Sequence, residues 1–283
     1  MRETRQLPAD LEQQLAKFRA DEGRLVVLTG AGISAESDVP TFRGKEGYWV
    51  VGSREYHPQE MATHAMFTAQ PGAVWAWYLY RRGVCHRAEP NAGHRAVVEL
   101  ERLLGERLLL ITQNVDGLHL RAGSSLGRTF QVHGNIDFAR CDAGCGEPNW
   151  RLPQELVKAE RGTELSEHER QKLRCPRCEG WGRPHVLWFD ECYDEAHFRF
   201  HSSIEAAVAA EILVVVGTSG ATNLPMQVGQ LALRNGAAIV DINPEPNPFS
   251  QMAQAAERGW HLQGPSGDFL PLFVEVLARA AGP

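Results

Sequence analysis

The sequence predicts an α/β protein: a doubly wound, mainly parallel sheet with a smaller helical and metal-binding domain inserted into it. Three observations predict this. Apolar runs of strand length end in small or polar residues, helix-like stretches separate them, and two segments interrupt the alternation, one rich in aromatics and one carrying paired cysteines.

The opening residues, MRETRQLPADLEQQLAKFRADEG, read as a charged amphipathic helix and lack the apolar core of a secretory signal. RLVVLTG (24–30) follows as a buried-type strand that runs into glycines, and LLLITQN (108–114), EILVVVGTS (211–219) and AAIVDIN (237–243) repeat its form. A continuous apolar run suits a parallel strand covered on both faces, and such sheets gather their active residues at the carboxyl ends of the strands. HRAVVELERLLGE (94–106) and MQVGQLALRNG (226–236) are helix-like, with Gly236 placed as a C-cap. Residues 45–93 look helical, including GAVWAWYLYRRGV, and residues 138–185 surround a charged helical stretch, LPQELVKAERGTELSEHERQKL. The expected division is a large domain of 1–44, 94–137 and 186–283, and a small one of 45–93 and 138–185.

Length and composition fit this division. A chain of 283 residues holds one large domain, or a large domain carrying a smaller one. Hydrophobic residues make up 43% and charged residues 23%, both ordinary for a globular protein. A net charge of -6 gives no electrostatic reason to expect nucleic acid or an anionic membrane as the main partner. No uncharged apolar run reaches the roughly 18 residues of a membrane span, so a cytoplasmic location is the default.

The cysteines carry the clearest chemistry readable from spacing. Cys141 and Cys145 form C-x3-C, Cys175 and Cys178 form C-x2-C, and 29 residues separate the pairs. In a cytosolic chain that pattern favours metal over disulfides. Four thiolates suit zinc and close its tetrahedron, so the site is structural, with no open position for catalysis. Four unliganded buried thiols are the plainer reading of the same spacing. Cys85 and Cys192 stand alone and read as ordinary residues.

The remaining motifs acquire meaning together. Gly30-Ala31-Gly32-Ile33-Ser34 directly follows a strand but lacks the third glycine of the usual dinucleotide fingerprint, and a plain strand-to-helix turn explains it as well. Its continuation, GAGISAESDVPTFRG (30–44), is followed in order by TQNVDGLH (112–119), VHGN (132–135), RPHVLWFDE (183–191), GTS (217–219) and NPE (243–245). In this order the blocks resemble those of the sirtuins, Sir2-like NAD-dependent protein deacylases.

The resemblance implies a Rossmann-like NAD-binding domain, NAD as cofactor, a structural Zn2+ and acyl-lysine proteins as partners. It implies that the acyl oxygen attacks the ribose carbon bearing nicotinamide, after which a ribose hydroxyl must lose a proton to attack the resulting alkylimidate. The products are nicotinamide, O-acyl-ADP-ribose and free lysine. A neutral imidazole suits that proton removal, and His133 matches the family's base, with Asn114 beside the reacting ribose. Gly30, Ala31, Gly32, Phe42 and Arg43 match the phosphate-binding and closing loop. Gln113, Asn114 and Asp116 match the nicotinamide-ribose region. Gly217, Thr218, Ser219, Asn243, Glu245 and Ser266 match the adenosine side, while Val186, Phe189 and Glu191 match the substrate strand. The same cofactor site could serve ADP-ribosyl transfer or NAD hydrolysis, an alternative that stays open at this point.

Tyr78 and Arg81, in WAWYLYRRGVCHRAEPNAGHRA (75–96), resemble the Tyr-x-x-Arg pair of the desuccinylase-type branch, which prefers acidic acyl groups such as succinyl and malonyl. Three-residue spacing puts both on one helix face, where a guanidinium and a phenol can grip one carboxylate. A Trp/Tyr-rich core helix is the plainer reading. The chain departs from the family pattern at Asp190 and Asp38, where glycine is usual, in the longer polar loop 220–225, and at Cys145, offset by one position. A carboxylate at 190 could repel acidic peptides, favour basic ones, or signal a non-peptide substrate.

Overall fold

The computed structural model describes residues 5–40, 49–51 and 54–280. Its strands are β1 (Arg24–Thr29), β2 (Trp49–Val51), β3 (Arg54–Tyr56), β4 (Leu108–Thr112), β5 (Thr129–Gln131), β6 (Gly134–Cys141), β7 (Trp150–Arg151), β8 (Gly182–Val186), β9 (Ala210–Val216), β10 (Ala238–Asn243) and β11 (Gly259–Gln263). Six of them form the main sheet in the order β11-β10-β9-β1-β4-β5, and every pairing within it is parallel. Leu25 of β1 lies opposite Leu108 of β4 and Ile212 of β9. The chain therefore winds outward from β1 through β4 to β5, then returns to β9 on the other side. The strand order reverses beside β1, and ligand crevices of open α/β sheets form at such a reversal.

Alternation along each strand supplies two cores. Leu25 and Val27 pack with Leu11, Leu15 and Phe18 of the helix Ala9–Ala20, and with Phe273 and Leu277 of the helix Ser266–Arg279. Val26 and Leu28 face the opposite side, against Leu224, Val228 and Phe249. All of these side chains are fully buried, each contributing about 1.5–3 kcal/mol relative to exposure. The four apolar runs thus form the central strands, as predicted. β5 and β11, at the two edges, were not expected.

A third core joins the two interrupting segments. Trp75, Tyr78 and Leu79 of the helix Pro71–Arg87 pack with Leu152, Leu156, Leu165 and Leu173 and with Trp188. Beside them lies an antiparallel sheet of order β7-β6-β8, and β2 pairs with β3 as a separate antiparallel hairpin where helix was expected. The charged stretch 152–173 is not one helix: only Glu167–Lys172 is helical, started by a Ser166–Glu169 capping box. The preceding residues spend their backbone groups elsewhere. Lys158 N donates to Leu79 O, and the carbonyls of Pro153 and Leu156 accept from Arg82 at 2.8 and 2.7 Å. Arg82 is itself 1% exposed and paired with Asp137 at 2.7 Å.

Candidate active site

The loops after β1 and β9 meet above the sheet. Gly30 N donates to Val216 O at 2.9 Å and Gly32 N to Gly217 O at 2.7 Å. A Cβ on Gly32 would lie 2.6 Å from Gly217 Cα, and one on Gly30 would lie 2.6 Å from Thr218 Cβ. These glycines are needed first for the contact between two loops. Ala31 begins a 3-10 helix, Ala31–Ser37, that ends at Asp38 with φ 58. A left-handed backbone there explains why a glycine is usual at this position. Phe42 and Arg43 lie outside the described residues.

Beneath this junction, polar side chains are buried at the carboxyl ends of β1 and β4. Ser34 Oγ donates to Asp116 Oδ2 at 2.7 Å, and Asn114 Nδ2 donates to Ser34 Oγ at 3.0 Å. Leu118 N donates to Asp116 Oδ1. Burial pushes the Asp116 carboxyl up, against the lowering effect of these two donors to it. His94 lies 3.4 Å from Ser34 Oγ, and His119 contacts Thr29 Oγ1 at 3.1 Å. Burial holds both imidazoles neutral, with His94 down at about 4. His119 Nδ1 is buried with no hydrogen-bond partner among the described residues. A core needs no such set, since each unpaired buried polar group costs about 1–3 kcal/mol. A ligand carrying hydroxyl and amide groups fits it.

His133 stands between β5 and β6. Its Nε2 meets Tyr193 Oη at 2.8 Å, and its ring also bonds the Gln113 backbone. Burial takes the imidazole down to about 4, opposed by that backbone bond, so it is a neutral base at physiological pH. Gln113 Nε2 donates to Thr218 Oγ1 at 2.9 Å, and Thr222 Oγ1 donates to Gln113 Oε1 at 3.0 Å. The structure thus gathers Gly30, Gly32, Gln113, Asn114, Asp116, His133, Gly217 and Thr218 around one junction.

Toward β10 and β11, Asn243 donates to the buried Asp241, and Ser266 Oγ donates to Glu36 Oε2 at 2.8 Å. Ser219 and Glu245 are exposed. On the substrate strand, Val186 is buried opposite Gly134, whereas Phe189 is 60% exposed and its N donates to Ala62 O. Glu191, expected on the substrate strand, has internal partners. Its carboxylate accepts from Arg183, Arg140 and Trp188 N, a set that fixes the turn after the strand. Asp190 is likewise engaged internally, accepting from His64 N at 2.8 Å and Ala65 N at 3.1 Å. The carboxylate caps the start of the helix His64–Ala69 while staying exposed.

Tyr78 and Arg81 share a helix but not an environment. Tyr78 is 3% exposed and its hydroxyl accepts from Trp188 Nε1 at 2.8 Å, with burial pushing the phenol well up. Arg81 lies over Trp77 and lines an indentation with Val39, Pro40 and Val84.

The four paired cysteines converge, their sulfurs all within 4.8 Å of one another. Cys141 and Cys178 are 3.5 Å apart, Cys145 and Cys175 3.6 Å. A zinc tetrahedron with bonds of about 2.3 Å has edges of about 3.8 Å, so the cluster fits structural zinc. Gly144 at φ 61 and Gly146 at φ 86 flank Cys145 and absorb the extra residue of the first pair.

A family model described as the Sir2 family matches residues 30–223. The chain belongs to the Sir2 family. Among family members, an NAD-dependent protein deacylase of Leptospira interrogans is 39% identical over 94% of this chain and 98% of its own. One of Thermus thermophilus is 39% identical over 88% and 91%. A Sir2 homologue solved as an NAD complex is 33% identical, with a TM-score of 0.76, over 95% of this chain and 94% of that one.

Reading the sequence missed Ser34, His94, Tyr193 and Thr222. Ser34 lay inside a quoted block, so its signal was present. Tyr193 and Thr222 lie outside every block, and only the fold brings them to His133.

Proposed function

We propose that this chain is an NAD-dependent protein-lysine deacylase. The observation that carries the reading is the neutral His133 imidazole beside the buried Ser34–Asn114–Asp116 set, in a Sir2-family chain whose relatives are named for this activity. Bound NAD supplies the ribose carbon that accepts the acyl oxygen, with nicotinamide as the leaving group. His133 takes the proton from a ribose hydroxyl at Nε2, while the Gln113 backbone holds the ring in the tautomer that leaves this nitrogen free to accept.

Asn114 and Asp116 bind the nicotinamide-ribose end, and Ser34 fixes their orientation by bonding both. Gly30, Gly32, Gly217 and Thr218 form the floor for the phosphates, and the resemblance assigns Phe42 and Arg43 to the same cofactor loop. Asn243, Glu245, Ser219 and Ser266 take the adenosine end. The Cys141, Cys145, Cys175 and Cys178 cluster holds zinc away from the chemistry. The small domain is formed by 45–93 and 138–185, whose shared apolar cluster supports the division. Among the described residues no helix is long and apolar enough to cross a membrane, and we retain the cytoplasm as the setting.

The acyl class is a second, finer part of the reading. Arg81 lines the indentation beside Val39 and Pro40 and takes the distal carboxylate of a succinyl- or malonyl-lysine. Tyr78 is committed to Trp188, so the grip rests on Arg81. ADP-ribosyl transfer to other acceptors, or plain NAD hydrolysis, is not favoured. The test is nicotinamide release with NAD and either acetyl- or succinyl-lysine peptide, in wild type, His133→Ala and Arg81→Met. Release that needs a peptide, is abolished as deacylation in His133→Ala, and loses only the succinyl substrate in Arg81→Met supports the reading. NAD consumption indifferent to peptide refutes it.

A further inference from the structure

His133 Nε2 is the atom the reaction needs, and Tyr193 Oη already sits 2.8 Å from it. The tyrosine is firmly held. Its ring stacks on Phe200 at 6.3 Å and 29°, and it packs against the core beneath β9. Its hydroxyl also lies near enough to Thr222 for that side chain to lower its pKa, and Thr222 donates to Gln113 Oε1 at 3.0 Å. Gln113 closes the circuit, since its backbone bonds the His133 ring.

We propose that Tyr193 is a positioning residue for the base: its hydroxyl holds the His133 ring in its working orientation and reverses its hydrogen bond when Nε2 gains a proton. This rests on His133 serving as the base.

Two hydrogen-bond arrangements are open to this circuit, and they differ by one rotation. With a neutral imidazole, the ring donates to the Gln113 carbonyl through its other nitrogen, so Nε2 carries a lone pair. The phenol O–H donates to Nε2 until a ribose hydroxyl displaces it, when the phenol proton swings away and frees that lone pair. With the proton of a ribose hydroxyl on Nε2, the imidazolium N–H donates to Tyr193 Oη. The phenol proton turns to Thr222 Oγ1, which keeps its own donation to Gln113 Oε1. No proton leaves the circuit, and every donor has an acceptor in both states.

Burial pushes the Tyr193 phenol up to about 12, although Thr222 lowers it. The phenol therefore remains a hydroxyl and never competes as a base. A hydrogen bond to an ionised partner is about twice as strong as a neutral one, so the circuit favours the protonated imidazole over the same pocket without Tyr193. An imidazole held low by burial gains proton affinity where the reaction uses it.

Tyr193→Phe keeps the ring and its stacking while removing the hydroxyl, and Thr222→Val removes the acceptor for the rotated proton. Two rates are measured with NAD and an acyl-lysine peptide. One is net deacylation; the other is exchange of labelled nicotinamide, which needs departure and return of nicotinamide but no proton removal by the base. For Tyr193→Phe we expect deacylation turnover to fall about 10- to 100-fold, with exchange and the KM for NAD within about twofold of wild type. Thr222→Val is expected to show the same split with a smaller loss. Equal losses in exchange and deacylation would mean a structural role and overturn the proposal. Unchanged turnover in Tyr193→Phe, with His133→Ala inactive, would also overturn it while leaving the deacylase reading intact. Full turnover in His133→Ala would sink the base assignment, and this proposal with it.

Discussion

Replacing Arg82 with methionine tests what holds the helix Pro71–Arg87 in place. The guanidinium is 1% exposed, pairs with Asp137 at 2.7 Å, and donates to the carbonyls of Pro153 and Leu156 at 2.8 and 2.7 Å. Methionine replaces the stem but none of the donors. Removing one partner of a buried ion pair costs about 3–5 kcal/mol. His86 Nε2 stays 2.7 Å from the same Asp137 oxygen and offsets part of that loss, so about 3 kcal/mol applies. Pro153 O keeps Leu156 N at 3.1 Å, but Leu156 O is orphaned, which brings the total to about 4 kcal/mol. At about 2–4 °C per kcal/mol for a chain of this size, the melting temperature should drop by about 8–16 °C.

Scanning calorimetry of the zinc-loaded protein at pH 7 reads this directly. The pH dependence supplies a second check. Burial raises the Asp137 carboxyl, but hydrogen bonds from His86 and Arg82 outweigh it and hold the group below its ordinary value. A carboxyl so held stabilises the fold above its unfolded value of about 3.9 and loses that contribution as pH falls through the folded value. The gap between wild type and Arg82→Met should therefore narrow below about pH 4. A drop of less than about 3 °C at pH 7 would refute the reasoning, because no buried pair of this kind should be so cheap to break.

Removing zinc with a chelator should lower the melting temperature and release one metal equivalent per chain, measured by elemental analysis. A protein that keeps its melting point with no metal bound would show the sulfur cluster to be idle. Asp38→Val should lower stability by about 1–2 kcal/mol, because a β-branched residue strains a left-handed backbone, whereas Asp38→Gly should be tolerated; denaturant titration compares the two. Glu191→Gln should destabilise the protein and raise the KM for peptide, since Arg183 loses its partner and the turn loosens. A KM effect with unchanged stability would instead indicate a direct contact with substrate. Burial holds His94, His133 and His185 at about 4, below an unfolded value of about 6.5. A lowered imidazole stabilises the fold above its unfolded value and loses that contribution as pH falls, so the urea midpoint should decline from about pH 6.5 toward 4. A flat midpoint over that window would contradict the buried, neutral state of these rings.

The central strands were legible because burial on both faces demands unbroken apolar runs, as in β1 and β9. The edge strands β5, TFQ, and β11, GWHLQ, were not: each needs a single covered face and is short or mixed in character. The charged stretch 152–173 has helix-favouring composition, but its backbone groups are claimed by Arg82 and Leu79, partners that no local pattern reveals. Resemblance placed Glu191 on the substrate strand without showing that Arg183 and Arg140 take its carboxylate. It placed Tyr78 on the correct helix without showing Trp188 above the hydroxyl. The glycines of 30–32 were visible, but the close approach of Gly217 that requires them belongs to the fold. Tyr193 stands 60 positions from His133, and distance along the chain hides such a pair.

His133 immediately precedes β6, and Cys141 is the last residue of that strand. A single run of eight residues, about 26 Å long, therefore connects the imidazole proposed as the base to one of the four thiols that fit zinc. Agents that attack the sulfurs should disable turnover by slackening this tether, producing slow, time-dependent inactivation that excess dinucleotide fails to prevent.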